Sequence, residues 1–316
     1  MFRIKFHYNI WQRISVMILS VLFVTILSFL LMRLSPIDPA TAYVMRSSPI
    51  VTQKQIDEAR VLLGMDKPLT IQYLSWVKDA FSGDFGISLS NGQPVLSELL
   101  KAIPISLNVV LLAALIMIFG VLVIGYLQYI TINTFVGKLI NIACIIGISI
   151  PAFYLAILFV NYFAFKYKFL SVTGNTGIIR YLPCSLCLSV SGVGFYSQML
   201  AKRLKEEMNE DYIFFARCRG LSETRILIFH AFPLAIIDLV PNFAQMIGLC
   251  LAGAAVVERV FSLPGFGYLI IDSVVKRDSP IIHASVLFLA VALVILDFIA
   301  TTIQRKFRRD IYAEKK

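Results

Sequence analysis

Charge is scarce in this sequence. Only 15% of its 316 residues are Asp, Glu, Lys or Arg, against about a quarter in soluble domains. Hydrophobic residues make up 58%, more than a soluble core of this length can hide. That excludes an ordinary soluble fold and calls for a bilayer. Also missing is the phosphate-binding loop G-x-x-x-x-G-K-[ST]. The only Gly-Lys pair, Gly137-Lys138, lacks both the earlier Gly and the following Ser or Thr. The chain should therefore bind no ATP and carry no cofactor of its own. There is no H-E-x-x-H or similar metal-ligand cluster, and no nucleophile beside a plausible base. A membrane-embedded enzyme is thus left without catalytic residues or a metal. No internal repeat is visible, and ionisable residues gather near the ends of the apolar runs. A secondary transporter would show repeats and intramembrane charged relays. No disulfides are expected. Four of the five cysteines lie in or beside apolar runs, and the C-x-x-C pair Cys184 and Cys187 has no second His or Cys pair nearby. It reads as small apolar side chains.

What the sequence has in abundance is long apolar runs. A membrane helix needs about 20 such residues, and six segments qualify: 14–32, 104–127, 139–165, 181–201, 239–257 and 281–303. The third is longer than a span requires, so its ends should project or tilt. Ala40-Thr41-Ala42 resembles a signal-peptide cleavage site. The preceding run is too long for a signal-peptide core of about 7–15 residues, so it should remain as an uncleaved first span. The expected fold class is all-α: one polytopic transmembrane domain over 1–316, with six membrane helices and a helical extracytoplasmic loop at 34–103.

Basic residues set the orientation, because short cytoplasmic loops are enriched in Lys and Arg. With both termini cytoplasmic, the inside holds Arg3, Lys5 and Arg13, Lys138, the group from Lys202 to Arg225, and Arg305 to Lys316. The short outside loops hold fewer: Lys166, Lys168, Arg180, Arg259, Lys276 and Arg277. The formal charge of +10 could suggest nucleic acid. Its placement between and after the spans points to topology and anionic membrane lipid instead.

The loop 34–103 carries helix signals. Thr52 followed by Gln55 forms a capping box, Gly64 can stop the helix it opens, and Tyr73, Trp76 and Val77 recur at helical spacing before Gly83. Helices are expected near 53–63 and 69–82. These aromatics could contact a ligand, or pack on their own domain or the membrane interface.

The loop 202–233 is the most informative segment. Asn209 is a good N-cap, and Glu210 and Asp211 suit the positive end of a helix dipole. Tyr212, Phe215, Ala216 and Arg219 share a face, and Gly220 is placed to stop the helix. Ser222 can cap a second helix running to Pro233. This helix–Gly–helix either lies on lipid or docks into a groove of a soluble partner. A channel would give it no purpose.

Span five carries Asp238, Asn242 and Gln245 at i, i+4 and i+7, continued by Gly248 and Ala252. That face either packs against protein or lines an aqueous pathway. Asp297 lies deeper in span six. His283 reads as an interfacial side chain rather than a nickel ligand, and Arg277 and Asp278 as a solvated or locally paired loop edge. Pro151, Pro233 and Pro241 can bend their spans.

These residues carry a resemblance. Ala216-x-x-x-Gly220, nine residues, then His230-Ala231-Phe232-Pro233 resembles the E-A-A-x-x-x-G-x9-I-x-L-P loop of ABC-importer permeases. Ala, Gly and Pro match; Phe214 stands at the Glu position, Phe215 at the first Ala, His230 at the Ile and Phe232 at the Leu. Other stretches resemble the dipeptide, oligopeptide and nickel branch of that family: Leu63-Gly64-Met65-Asp66-Lys67-Pro68-Leu69, Gly83-Asp84-Phe85-Gly86-x-Ser88, Ser149-Ile150-Pro151-Ala152-Phe153, Val257-Glu258…Pro264-Gly265-x-Gly267, and Arg277-Asp278-x-Pro280. The resemblance covers most of the chain. It implies the first permease of an importer for small peptides, nickel or a metal chelate, in the bacterial inner membrane. The implied partners are a homologous second permease, two ABC ATPase subunits holding ATP and Mg, and an extracellular or periplasmic solute-binding protein. Tyr212, Phe215, Ala216, Arg219, Gly220 and Pro233 would couple to the ATPases. The alternatives from other classes are a secondary transporter and a channel.

Overall fold

The computed structural model describes residues 10–33, 39–47, 51–167 and 177–314. Arg3, Lys5, Lys168, Lys315 and Lys316, used above for orientation, lie outside them, as does the start of the long loop. Among the described residues the chain is helical, with one isolated bridge between Ile87 and Pro94.

Among the described residues, five helices are long and apolar enough to cross a membrane. Four lie within α1 (Ile10–Arg33), α5 (Val95–Ile130), α8 (Leu182–Glu207) and α13 (Ser279–Glu314), and the other runs Glu223–Val260 and contains α11 (Phe232–Val260). The expected third span is different. It forms α6 (Phe135–Ser149) and α7 (Ala152–Phe159, continued as a π turn through Lys166), bent by 94°. The surplus length thus goes into a break, not into projecting ends. Proline explains it. Pro151 has no N–H to donate, and its ring would strike the carbonyl four residues back. The residue before a proline is pushed to extended backbone, and Ile150 has φ −91 and ψ 121. Counted as one broken span, the pair brings the crossings to six. Pro104 and Pro241 lie inside α5 and α11 without ending them.

The chain divides into two compact units, Met1–Ile103 with Leu269–Val294, and Pro104–Tyr268 with Ile295–Lys316. In the first, α2 (Pro39–Ser47) packs on α3 (Gln53–Leu62) through Ala40, Val44 and Ala59. The capping box of α3 is complete: Thr52 accepts from the Gln55 N–H, and Gln55 accepts from the Thr52 N–H at 3.0 Å. Gly64 and Gly83 have φ of +65° and +79°, the left-handed region that glycine enters freely. They follow α3 and α4 (Leu69–Phe81) where the sequence placed the stops. Tyr73 and Trp76 pack inside their own unit, with Tyr73 edge-on to Phe29 at 5.6 Å.

The second unit is built around α8, whose buried positions include Ser185, Ser189, Gly192 and Gly194. Without a hydrophobic drive between helices in lipid, small residues that permit close approach do the packing. A Cβ on Gly194 would lie 2.7 Å from the Cys144 carbonyl oxygen. Ser185 donates to the Val109 carbonyl at 2.8 Å. Cys184 and Cys187 are buried free thiols in this core, as their apolar setting implied.

Candidate functional site

The loop after α8 is set by three local devices. Asn209 does not open the next helix, as its type suggested. Its side-chain amide donates to the Lys205 carbonyl at 2.8 Å and closes α8. The N-cap of α9 (Asp211–Cys218) is Glu210, extended at φ −75 and ψ 151, without a side-chain cap bond. An Asn reaching back satisfies an orphan carbonyl of the helix behind it instead of an orphan N–H of the helix ahead.

At the far end, Gly220 has φ +79°. Its N–H donates to the Arg217 carbonyl at 2.9 Å, and the Leu221 N–H donates to the Ala216 carbonyl at 3.3 Å. This is the paired bonding of a Schellman stop. Ser222 is the N-cap of α10 (Glu223–Ile226), again without a side-chain cap bond. Across the turn, Arg217 forks onto Glu223 with Nε–Oε1 at 2.6 Å and Nη2–Oε2 at 3.0 Å. That bond raises the Arg217 guanidinium above its ordinary pKa. A π turn, Leu227–Ala231, leads into α11. It accommodates Pro233, which sits in the first turn of α11.

The face expected from spacing splits in two. Ile213 and Ala216 turn inward and pack in one cluster with Leu204, Met208, Ile226 and Ala231. Tyr212 is half-buried and donates to Glu207 at 2.8 Å. Phe215 is 64% exposed and Phe214 61% exposed, their rings edge-to-face at 6.0 Å. Arg219 is exposed. So Ala216 belongs to the chain's own packing, whereas Phe214, which spacing left off the face, stands outside beside Phe215. Ile228 and Phe229 are exposed as well. An apolar residue next to the charged turn was the available signal for them. Pro233 is exposed.

The three polar residues of α11 have different surroundings. Asn242 faces α8: its carbonyl accepts from the Tyr196 hydroxyl at 2.7 Å, and its amide lies 3.6 Å from the Met199 sulfur. Gln245 is exposed and Asp238 half-buried.

Two carboxylates quoted in the sequence stretches above turn out to be buried hubs. In the second unit, Glu258 is fully buried; it accepts from the Ser106 hydroxyl and from the Tyr268 N–H at 3.0 Å. Ser106 in turn accepts from the Phe266 N–H at 2.7 Å. A Cβ on Gly265 would fall 2.5 Å from the Glu258 carboxylate, so any larger residue there must displace that side chain. In the first unit, Asp278 is 1% exposed and accepts from the Ser88 hydroxyl and from the Leu89 and Ser90 N–H groups. Asp278 is therefore neither solvated nor paired only locally, as a loop edge was expected to be: its carboxylate is buried and its side-chain partner is 190 positions away. His283 is also buried, with Nδ1 3.1 Å from the Ser28 hydroxyl and its ring stacked on Phe29 at 4.7 Å.

The chain matches known proteins along most of its length. The family described as binding-protein-dependent transport system inner membrane component matches residues 121–311, and its N-terminal counterpart matches residues 5–110. A Brucella abortus protein, provisionally named as a peptide transport system permease, is 31% identical over 315 residues, covering 95% of this chain and 99% of its own. The Escherichia coli glutathione transport system permease protein GsiC is 29% identical over 289 residues, covering 91% and 93%.

Proposed function

We propose, for a chain that belongs to the family of binding-protein-dependent transport system inner membrane components, that it forms half of the translocation pathway of an ATP-driven importer of small peptides. It is an ABC-importer permease and a multi-pass inner-membrane protein. In the proposed assembly, all of 1–316 acts as one transmembrane domain, the first permease beside a homologous second one. Two ABC ATPase subunits hold the ATP and Mg, and a solute-binding protein delivers the substrate to the loop 34–103. Both termini face the cytoplasm. Peptide is favoured over nickel or a metal chelate because relatives carry the names of peptide and glutathione permeases.

The observation that carries the proposal is the shape of 202–233. Exposed Phe214 and Phe215 stand on a short helix held from behind by buried Ile213 and Ala216 and stopped by Gly220. A helix pinned in this way can transmit a push to α8 and α11, which flank it. Large exposed aromatics are the residue types that anchor protein–protein contacts. Tyr212, Arg219 and Pro233 position this element, and Asp238, Asn242 and Gln245 are the proposed lining of the pathway. The test is copurification of ATPase subunits with the detergent-extracted chain, together with dipeptide uptake that requires ATP and the binding protein. ATP-independent transport by the purified chain alone would replace this reading with a secondary transporter or a channel.

A further inference from the structure

Two hollows in the first unit meet at Trp76. One is an apolar slot of about 370 Å³, lined by Val21 and Leu22 of α1, Val77 and Ala80 of α4, and Leu287 and Phe288 of α13. The other is a recess of about 330 Å³, lined among others by Lys67, Gln72, Asp79 and Asp84. Trp76 and Phe85 belong to the walls of both. Each is in the size range of a ligand pocket.

The slot is dry by construction. Its hydroxyls are committed: Thr25 bonds to the Val21 and Leu22 carbonyls and pairs with the Tyr73 hydroxyl at 2.9 Å. Two of its walls are membrane helices, and its rim residues Leu22 and Phe81 are 40% and 91% exposed. On α1 beside the slot, Leu19, Phe23 and Ile26 are exposed apolar side chains as well. An empty apolar groove forfeits the dispersion contacts of its lining, and inside a bilayer the available filler is hydrocarbon.

Two features point to more than a chain. The Trp76 indole N–H is buried and has no hydrogen-bond partner, though a buried tryptophan ordinarily finds one. Lys67, Asp79 and Asp84 have no ion-pair partner among the described residues. The Asp79 carboxylate accepts from the Ser75 hydroxyl at 3.4 Å, and the Asp84 carboxylate from the Gly86 N–H at 2.8 Å. Two carboxylates and one ammonium beside an unused donor complement a headgroup that carries both a primary amine and a phosphate.

We propose that the two hollows together bind one ethanolamine phospholipid. An acyl chain fills the slot, a phosphate or ester oxygen accepts from the Trp76 indole with Lys67 beside it, and the amine lies between Asp79 and Asp84. This depends on the chain's insertion in a membrane and not on what it transports.

The sequence supplies its own reporter, because it has two tryptophans. In a Trp11→Phe background, Trp76 is the sole indole. The full chain is reconstituted in phosphatidylcholine vesicles that contain a minor fraction of either phosphatidylethanolamine or phosphatidylglycerol, brominated on the acyl chains. Brominated phosphatidylethanolamine should quench Trp76 more strongly than brominated phosphatidylglycerol at equal fraction. Asp79→Asn with Asp84→Asn, both on exposed carboxylates, should erase that difference. Ala80→Phe should fill the slot and reduce quenching by both lipids. Equal quenching by the two lipids in the Trp11→Phe chain would overturn the headgroup assignment. Quenching undiminished by Ala80→Phe, with normal chain yield, would reduce the site to the general lipid shell.

Discussion

Ser88 donates its hydroxyl to the Asp278 carboxylate at 2.5 Å, across 190 positions of sequence. The same carboxylate accepts two backbone N–H groups of the segment that follows Ser88, at 3.1 and 3.0 Å. One buried side chain thereby closes the loop between Gly83 and Pro94 onto the turn that precedes α13. The bonds are charge-assisted and remote from bulk water, which strengthens each of them.

Asp278→Ala should be among the most damaging changes in the first unit. It removes the carboxylate that accepts from the Ser88 hydroxyl and the Leu89 N–H, and one of the two acceptors of the Ser90 N–H, which also bonds to Ser88 Oγ at 3.2 Å; a buried donor left without an acceptor costs about 1–3 kcal/mol. Ser88→Ala removes one donor and an acceptor of the Ser90 and Asn91 N–H groups at 3.2 and 3.3 Å, but leaves the Asp278 carboxylate its two backbone bonds, and should cost less. Limited proteolysis of inverted and right-side-out vesicles is the check. Cleavage within 83–94 should rise sharply for Asp278→Ala and only slightly for Ser88→Ala. Equal resistance of Asp278→Ala and the unsubstituted chain would show that the clamp is dispensable.

The turn held by Glu258 gives a second expectation. Gly265→Ala puts a methyl 2.5 Å from the Glu258 carboxylate and 2.6 Å from the Ser106 hydroxyl. Overpacking of this kind costs about 1–3 kcal/mol. Ser106→Ala removes one of the two obstacles, so the double variant should be less destabilised than the sum of the single ones. Thermal melting in detergent measures this directly, and simple additivity would argue against a shared site.

On the cytoplasmic loop, the two sides of α9 should separate function from folding. Phe214→Ser with Phe215→Ser leaves the packed side intact. It should keep normal abundance while losing ATPase copurification and uptake. Ala216→Asp instead places a charge among Ile213, Met208 and Ile226, at a cost of a few kcal/mol, within about 1–3 for an unpaired polar group and more for a charge. It should lower the abundance of the chain itself. Normal uptake by the double serine variant would remove the loop from coupling.

Gly220→Val tests the stop. At φ +79° a β-branched residue is strained, and the bonds from Gly220 and Leu221 back into α9 should weaken. Uptake should fall while the membrane spans remain assembled. Gly220→Asn, which tolerates the left-handed region better, should retain more uptake than Gly220→Val. The reverse order would show that the glycine is kept for space and not for its backbone angle.

Topology has its own check. A cysteine at residue 60, on exposed α3 surface beside Val61 and Leu62, should label from outside intact cells. Labelling only after permeabilisation would place the loop 34–103 in the cytoplasm.

Features decided within a few residues were readable from the chain alone. The apolar runs mark the spans because a bilayer demands an unbroken stretch that satisfies its own backbone. The Thr52–Gln55 box and the stops at Gly64, Gly83 and Gly220 depend on atoms no more than about a helical turn away. Pro151 announced a bend, though its 94° sharpness came from how α6 and α7 each pack on α8. Asn209 is the local exception, since the same amide can serve the helix behind or the helix ahead, and type alone does not choose. Whether Ala216 or Phe214 turns outward depended on where α8 and the π turn before Pro233 lie. Asp278 read as a solvated or locally paired loop edge, and Glu258 suggested no role of its own, because their partners, Ser88 and Ser106, stand 190 and 152 positions away. A carboxylate is indifferent to sequence distance. Its burial is repaid by donors that only the folded chain assembles, and no periodicity or spacing along the chain records them.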